Sequence, residues 1–118
     1  MYSFDKNVVL DFRDVQYYPE IHRIIKKALD FPEWYGENWD ALWDCLTDIM
    51  DEDALTIEIL GMDTIRRKFP PVEDMLISTF REWKGYYGGK YADHIHIFII
   101  ENDHEMELTA IMDEDTDA

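Results

Sequence analysis

The chain has 118 residues, room for one domain but not for two ordinary ones, and it is 47% hydrophobic and 14% aromatic, enough to build a core. Its formal net charge is −16, from 27 acids against 11 Lys and Arg, well past the magnitude of about 2–8 that solubility requires. Direct nucleic-acid binding and attraction to an anionic membrane are not expected, because both need clustered Lys and Arg.

In chain order, Val8-Val9-Leu10-Asp11-Phe12 is short and β-branched and predicts a first strand. Pro19 suits the first position of a helix. Ile21, Ile24, Ile25, Ala28 and Leu29 then recur at helical spacing, with Lys26 and Lys27 near the dipole's negative end. Phe31-Pro32 stops that helix. Residues 32–37 form an aromatic loop around Gly36, and Asn38 caps a helix running to about Met50.

Leu55-Thr56-Ile57-Glu58-Ile59-Leu60 predicts a second strand, ended by Gly61. Asp63 is expected to cap a short helix to Phe69. Pro71 opens a helix whose apolar positions are Val72, Met75, Leu76, Thr79, Phe80 and Trp83, and Gly85, Gly88 and Gly89 terminate it. Ile95-His96-Ile97-Phe98-Ile99-Ile100 predicts a buried third strand.

Strands alternating with helices favour parallel pairing. The expected fold is α/β, with a three-stranded parallel sheet in order 1-2-3 and the helices packed on one face. Order 2-1-3, with helices on both faces, stays open at this level. One domain is expected over residues 1–101. An acidic tail follows over 102–118, either disordered or a loosely docked helix around Leu108, Ile111 and Met112. Its removal from Asp103 onward is expected to leave function nearly intact.

No apolar run approaches the roughly 20 residues that span a bilayer, and the N-terminal residues show no secretory pattern. Cys45 is the only cysteine, which excludes an intrachain disulfide and fits a reduced, cytoplasmic setting.

The charge excess sits in two blocks. Residues 28–65 hold eleven acids and residues 101–118 hold eight, with no Lys or Arg in either, while the other 62 residues carry a net charge of +3. Plotted at about 100° per residue, the helix after Asn38 puts Leu42, Cys45, Leu46 and Ile49 in one arc. Asp40, Asp44, Thr47 and Asp48 lie opposite, with Trp43 at the edge. The three aspartates stack at i, i+4 and i+8, where like charges destabilise a helix by a few tenths of a kcal/mol per pair, roughly.

Acidic helix faces are usually solvated surface of mixed sign. This one has no opposite charge nearby, and Trp34, Tyr35 and Trp39 lead into it. Trp and Tyr beside fixed charge are typical of binding hot spots, so a cationic protein partner fits.

The run PEWYGENWDALWDCLT, residues 32–47, closely resembles the loop-to-second-helix segment of the barstar family of intracellular ribonuclease inhibitors. Phe80-Arg81-Glu82 resembles the helix that brings one more carboxylate to the same surface. The similarity extends over roughly residues 7–100. It implies that carboxylates replace RNA phosphates in the active site of a basic ribonuclease. Asp40 and Asp44 would be the main anionic contacts, with Asp44 in the phosphate's place.

By the same resemblance Trp34 takes the place of an aromatic contact. Gly36, Asn38, Trp43 and Thr47 match the contact pattern, and Glu82 is the outlying acid. Trp34 stands where the family has Tyr, Trp39 where it has Leu, and Asp48-Ile49-Met50 where it has Gly-Trp-Val. The tail has no family counterpart. The implied partner is a basic ribonuclease or nuclease toxin in a 1:1 complex, with this chain as inhibitor or immunity protein, and neither an enzyme nor the holder of a cofactor.

Two other classes stay in view. One is an acidic adaptor or nucleic-acid mimic that binds a basic protein other than a nuclease. The other is a metal-dependent enzyme, and Asp40, Asp44 and Asp48 are the carboxylates that could bind a hard cation. Helical spacing lets only two of these reach one ion, no EF-hand loop is present, and His94 and His96 lack a third ligand. No phosphate-cradling or nucleophile motif occurs, and Cys45 lies on the core face.

Overall fold

The computed structural model describes residues 7–32, 38–49, 55–90 and 92–111. Strands β1 (Asn7–Asp11), β2 (Leu55–Leu60) and β3 (Ile95–Glu101) pair in parallel in the order of the chain. Helix α1 (Tyr18–Ala28) and helix α2 (Trp39–Ile49) lie between β1 and β2 in sequence. Helix α3 (Met62–Lys68), helix α4 (Pro70–Lys84) and a one-turn helix, Tyr86–Gly89, lie between β2 and β3.

Register and pleat decide where the core lies. Val8 pairs with Ile57 and Ile57 with Ile97, while Leu10 pairs with Ile59 and Ile59 with Ile99. All six are buried, and they cluster with Ile21 and Ile25 of α1, Leu42, Leu46 and Ile49 of α2, Ile65 of α3, and Leu76 and Phe80 of α4. The alternate positions face the other way. Val9 is 47% exposed, and His96 and Phe98 are half-buried. The sheet therefore has one covered face, and β3 is not buried on both sides as its apolar run suggests.

Local chemistry explains the element ends. The Glu20 carboxylate accepts the Gln16 and Tyr17 N–H groups at 2.9 and 2.7 Å, which satisfies donors at the start of α1 and holds its carboxyl below the ordinary value. Gly61, not Asp63, caps α3; its carbonyl accepts the Thr64 and Ile65 N–H groups. Its φ is +85°, and a Cβ there would collide with the Arg13 backbone, so two constraints favour glycine. Pro70 and Pro71 both fit the first turn of α4, one residue earlier than expected. Met75, assigned by period to the core face of α4, is 40% exposed.

The largest departure is a fourth strand. The expected sheet ends at the third strand, with 102–118 as tail or loosely docked helix. In the structure β4 (His104–Glu107) pairs antiparallel with β3, joined by Asn102-Asp103. Both loop residues have positive φ, 49° and 67°, as a type I′ hairpin turn requires. Leu108 is buried just beyond, and its N–H donates to the Ile97 carbonyl at 2.8 Å. Residues 112–118, including Met112, lie outside the described residues.

Deleting residues 103–118 therefore removes sheet and core. Loss of Leu108 burial alone is worth about 1.5–3 kcal/mol. Urea unfolding of that truncation is expected to show a stability loss of at least this size, whereas a truncation after Ile111 stays near the full chain. Equal unfolding midpoints for the full chain and the longer deletion would sink this assignment.

Candidate functional site

Helix α2 begins at a side-chain cap. Asn38 Oδ1 accepts the Ala41 N–H at 2.8 Å, and the Asn38 carbonyl takes the Leu42 N–H. Leu42, Cys45, Leu46 and Ile49 are buried at helical spacing, and the two Leu and the Ile each contribute about 1.5–3 kcal/mol if fully desolvated. The opposite face is forced outward. Asp40, Asp44 and Asp48 are all exposed on it, as their period predicts, with Thr47 half-buried beside them. The Thr47 hydroxyl donates to the Asp44 carbonyl at 2.9 Å.

The helix is braced by rings from three other elements. Trp39 packs edge-on against His22 of α1, ring centres 4.9 Å apart, and His22 is fully buried. Tyr18 also packs edge-on against His22, its hydroxyl 3.4 Å from Nε2. Trp43 packs edge-on against Tyr86 at 5.2 Å. Trp83 of α4 is fully buried, and its indole N–H donates to the Leu46 carbonyl at 2.7 Å. Trp39 and Trp43 are both half-buried, each with its ring packed edge-on against one neighbouring ring.

Charge pairing divides the acids. Asp11 binds Arg13, Glu73 and Glu101 share Arg66, and Glu107 meets His96 and Lys84. Among the described residues, Asp40 and Asp44 take part in no ion pair. Glu82 is exposed on α4, the helix that Trp83 fastens to α2. Trp34, Tyr35 and Gly36, with the acids Glu33 and Glu37, lie outside the described residues. The structure thus carries Trp39, Asp40, Trp43, Asp44, Thr47 and Asp48 on one helix, with Asn38 as its cap, and sets Glu82 on the neighbouring helix.

Sequence reasoning missed His22 and Tyr86 as supports. A signal existed for His22, which sits four residues after Tyr18 and three before the buried Ile25. None existed for Tyr86, which meets Trp43 only through the fold.

The same helix offers little to catalysis. Burial, then the charges of Asp48 and Asp44, push the Cys45 thiol up to about 11, so its thiolate form is scarce at neutral pH. Among the described residues no group of three or more His, Cys, Asp or Glu is placed to hold a metal ion. No described helix is long and apolar enough to cross a membrane.

Comparison with known proteins places the chain in a family. Residues 6–100 match the model of a family described as Barstar (barnase inhibitor). A protein of Bacillus subtilis (strain 168) named "Putative ribonuclease inhibitor YrdF" is 30% identical over 102 residues, covering 86% of this chain and 90% of that protein.

Proposed function

Because the chain belongs to the barstar (barnase inhibitor) family, we propose that it binds a basic ribonuclease one-to-one and closes its active site with the acidic face of α2. The observation that carries this is the placement of Asp40 and Asp44. Both are exposed on one rigid helix face, outside the ion pairs that occupy Asp11, Glu73, Glu101 and Glu107.

A ribonuclease cleft must hold a polyanion, so it carries positive potential. Asp44 stands in for the substrate phosphate and Asp40 meets a neighbouring cation. Asp48 extends the column, and Glu82 adds a charge from α4. Trp39 and Trp43 supply ring surface, and Trp34, Tyr35 and Gly36 complete the contact from the loop. Asn38 and Thr47 hold the helix that presents these groups. Pre-setting them lowers the ordering cost of association. The stacked aspartates repel one another in the free protein, and a cationic cleft relieves that strain.

In this reading the protein acts in the cytoplasm, as the inhibitor of its producer's own secreted enzyme or as the immunity partner of a nuclease toxin. It is not itself an enzyme. The test is titration into a panel of basic ribonucleases and nuclease toxins while RNA cleavage is followed. Cleavage by a cognate enzyme is expected to vanish at one equivalent. Association is expected to slow steeply with added salt, because exposed charges steer the encounter. Undiminished cleavage across the panel, with capture of a basic protein that is no nuclease, would replace this reading by the adaptor one.

A further inference from the structure

We propose that residues 108–111 form a strap whose role is to position α2, acting through the last turn of α4. This rests on α2 being the contact helix. These residues lie beyond the segment that matches the family model.

After β4 the chain crosses the C-terminal end of α4 and is tied to it repeatedly. Lys84 Nζ donates to the Leu108 carbonyl at 3.3 Å and lies 3.6 Å from Glu107 Oε2. Arg81 Nε donates to the Thr109 carbonyl at 2.9 Å. In return the Ile111 N–H donates to the Arg81 carbonyl at 3.1 Å. Gly85 lets the strap come this close. Its φ of −89° suits any residue, but a Cβ there would overlap the Ile111 carbonyl.

The other side of the same turn holds α2. Trp83 lies between Arg81 and Lys84 in sequence and bonds the Leu46 carbonyl, while Tyr86 packs on Trp43. Strap and contact helix therefore grip opposite sides of residues 81–86. The last turn of a helix has carbonyls without intrahelical partners and opens readily. The strap adds a second donor to the Arg81 carbonyl, which already accepts the Gly85 N–H at 3.1 Å, and binds the turn from outside through Arg81 and Lys84. Without it, fraying frees Trp83 and Tyr86 together, and α2 must be ordered again at each encounter.

Two substitutions test this in the full chain. Gly85→Ala drives the strap off by steric overlap, and Arg81→Met removes one of its ties while keeping the stem's length. Amide hydrogen exchange of the free protein is expected to speed up at least tenfold across residues 42–49 in each. Amides of β1 and β2 are expected to keep their original rates. Unchanged exchange in α2 would overturn the proposal. So would an equal rise everywhere, which is what a merely structural loss produces.

Truncation after Ile111 is expected to leave α2 exchange as it was, and loosening there would overturn the assignment of the strap to residues 108–111. These readouts need no nuclease, so they stand apart from the inhibitor reading. For a nuclease whose RNA cleavage the full chain blocks, Gly85→Ala is expected to weaken inhibition at least tenfold. Full inhibition despite a loosened α2 would overturn the positioning role. Failure of the full chain to block any nuclease would sink the proposed function and leave the exchange result untouched.

Discussion

Asp44→Ala is expected to weaken binding of the cognate nuclease by about 2–5 kcal/mol, the usual loss when one partner of a buried, hydrogen-bonded charge pair is truncated. That corresponds to roughly thirty- to several-thousand-fold in Kd. The range is taken over in part from barnase–barstar itself, a complex of this same family.

Stability is expected to move in the opposite sense. The carboxylate is exposed and outside the described ion pairs. Thr47 bonds the backbone carbonyl of Asp44, which alanine retains. Alanine also favours the helix, and removing one charge relieves repulsion toward Asp40 and Asp48 by a few tenths of a kcal/mol, roughly. Thermal unfolding at or slightly above the parent temperature, with affinity collapsed, is the expected pair of results. Equal affinities for the parent and the variant would refute the role of Asp44 as a phosphate substitute.

Trp83→Ala is expected to act the other way, on the fold first. The side chain is the largest fully buried one among the described residues, packs edge-on against Phe80, and binds the Leu46 carbonyl. Large-to-small replacement of a buried Trp costs about 3–5 kcal/mol, against a total of about 5–15 for a typical domain. The lost indole hydrogen bond to the Leu46 carbonyl adds about 0.5–1.5 kcal/mol. Urea unfolding should therefore show a protein near the edge of stability. Trp83→Phe keeps most of the burial and loses the hydrogen bond, so it should fall between. A Trp83→Ala protein as stable as the parent would mean that α2 and α4 are held by something other than this contact.

Much of this architecture could be read from periodicity. The second strand occupies the expected residues, and α2 shows the two faces that a step of about 100° assigns to it. Both follow from local geometry. A side chain's direction along a helix or strand depends only on its position in the element, so burial of one face leaves a regular trace. The acidic column needed no tertiary information, because Asp40, Asp44 and Asp48 share a face in any helix.

β4 left no such trace. All four of its residues are exposed, so no apolar alternation marks it. The one local clue was Asn102-Asp103, two residues that tolerate positive φ at a two-residue hairpin turn. The strap was equally hidden. Its ties are backbone groups meeting Arg81, Lys84 and Gly85 across more than twenty residues of sequence.

The amino-acid order alone thus determined which groups stand together on α2: a row of carboxylates, the tryptophans beside it, and an apolar stripe behind. Tertiary structure decided what holds that helix still. Trp83 reaches Leu46 over 37 residues of chain, Tyr86 meets Trp43, and buried His22 meets Trp39. Such contacts depend on the crossing of separate elements. No local period encodes that crossing, because it is set by how the whole core closes.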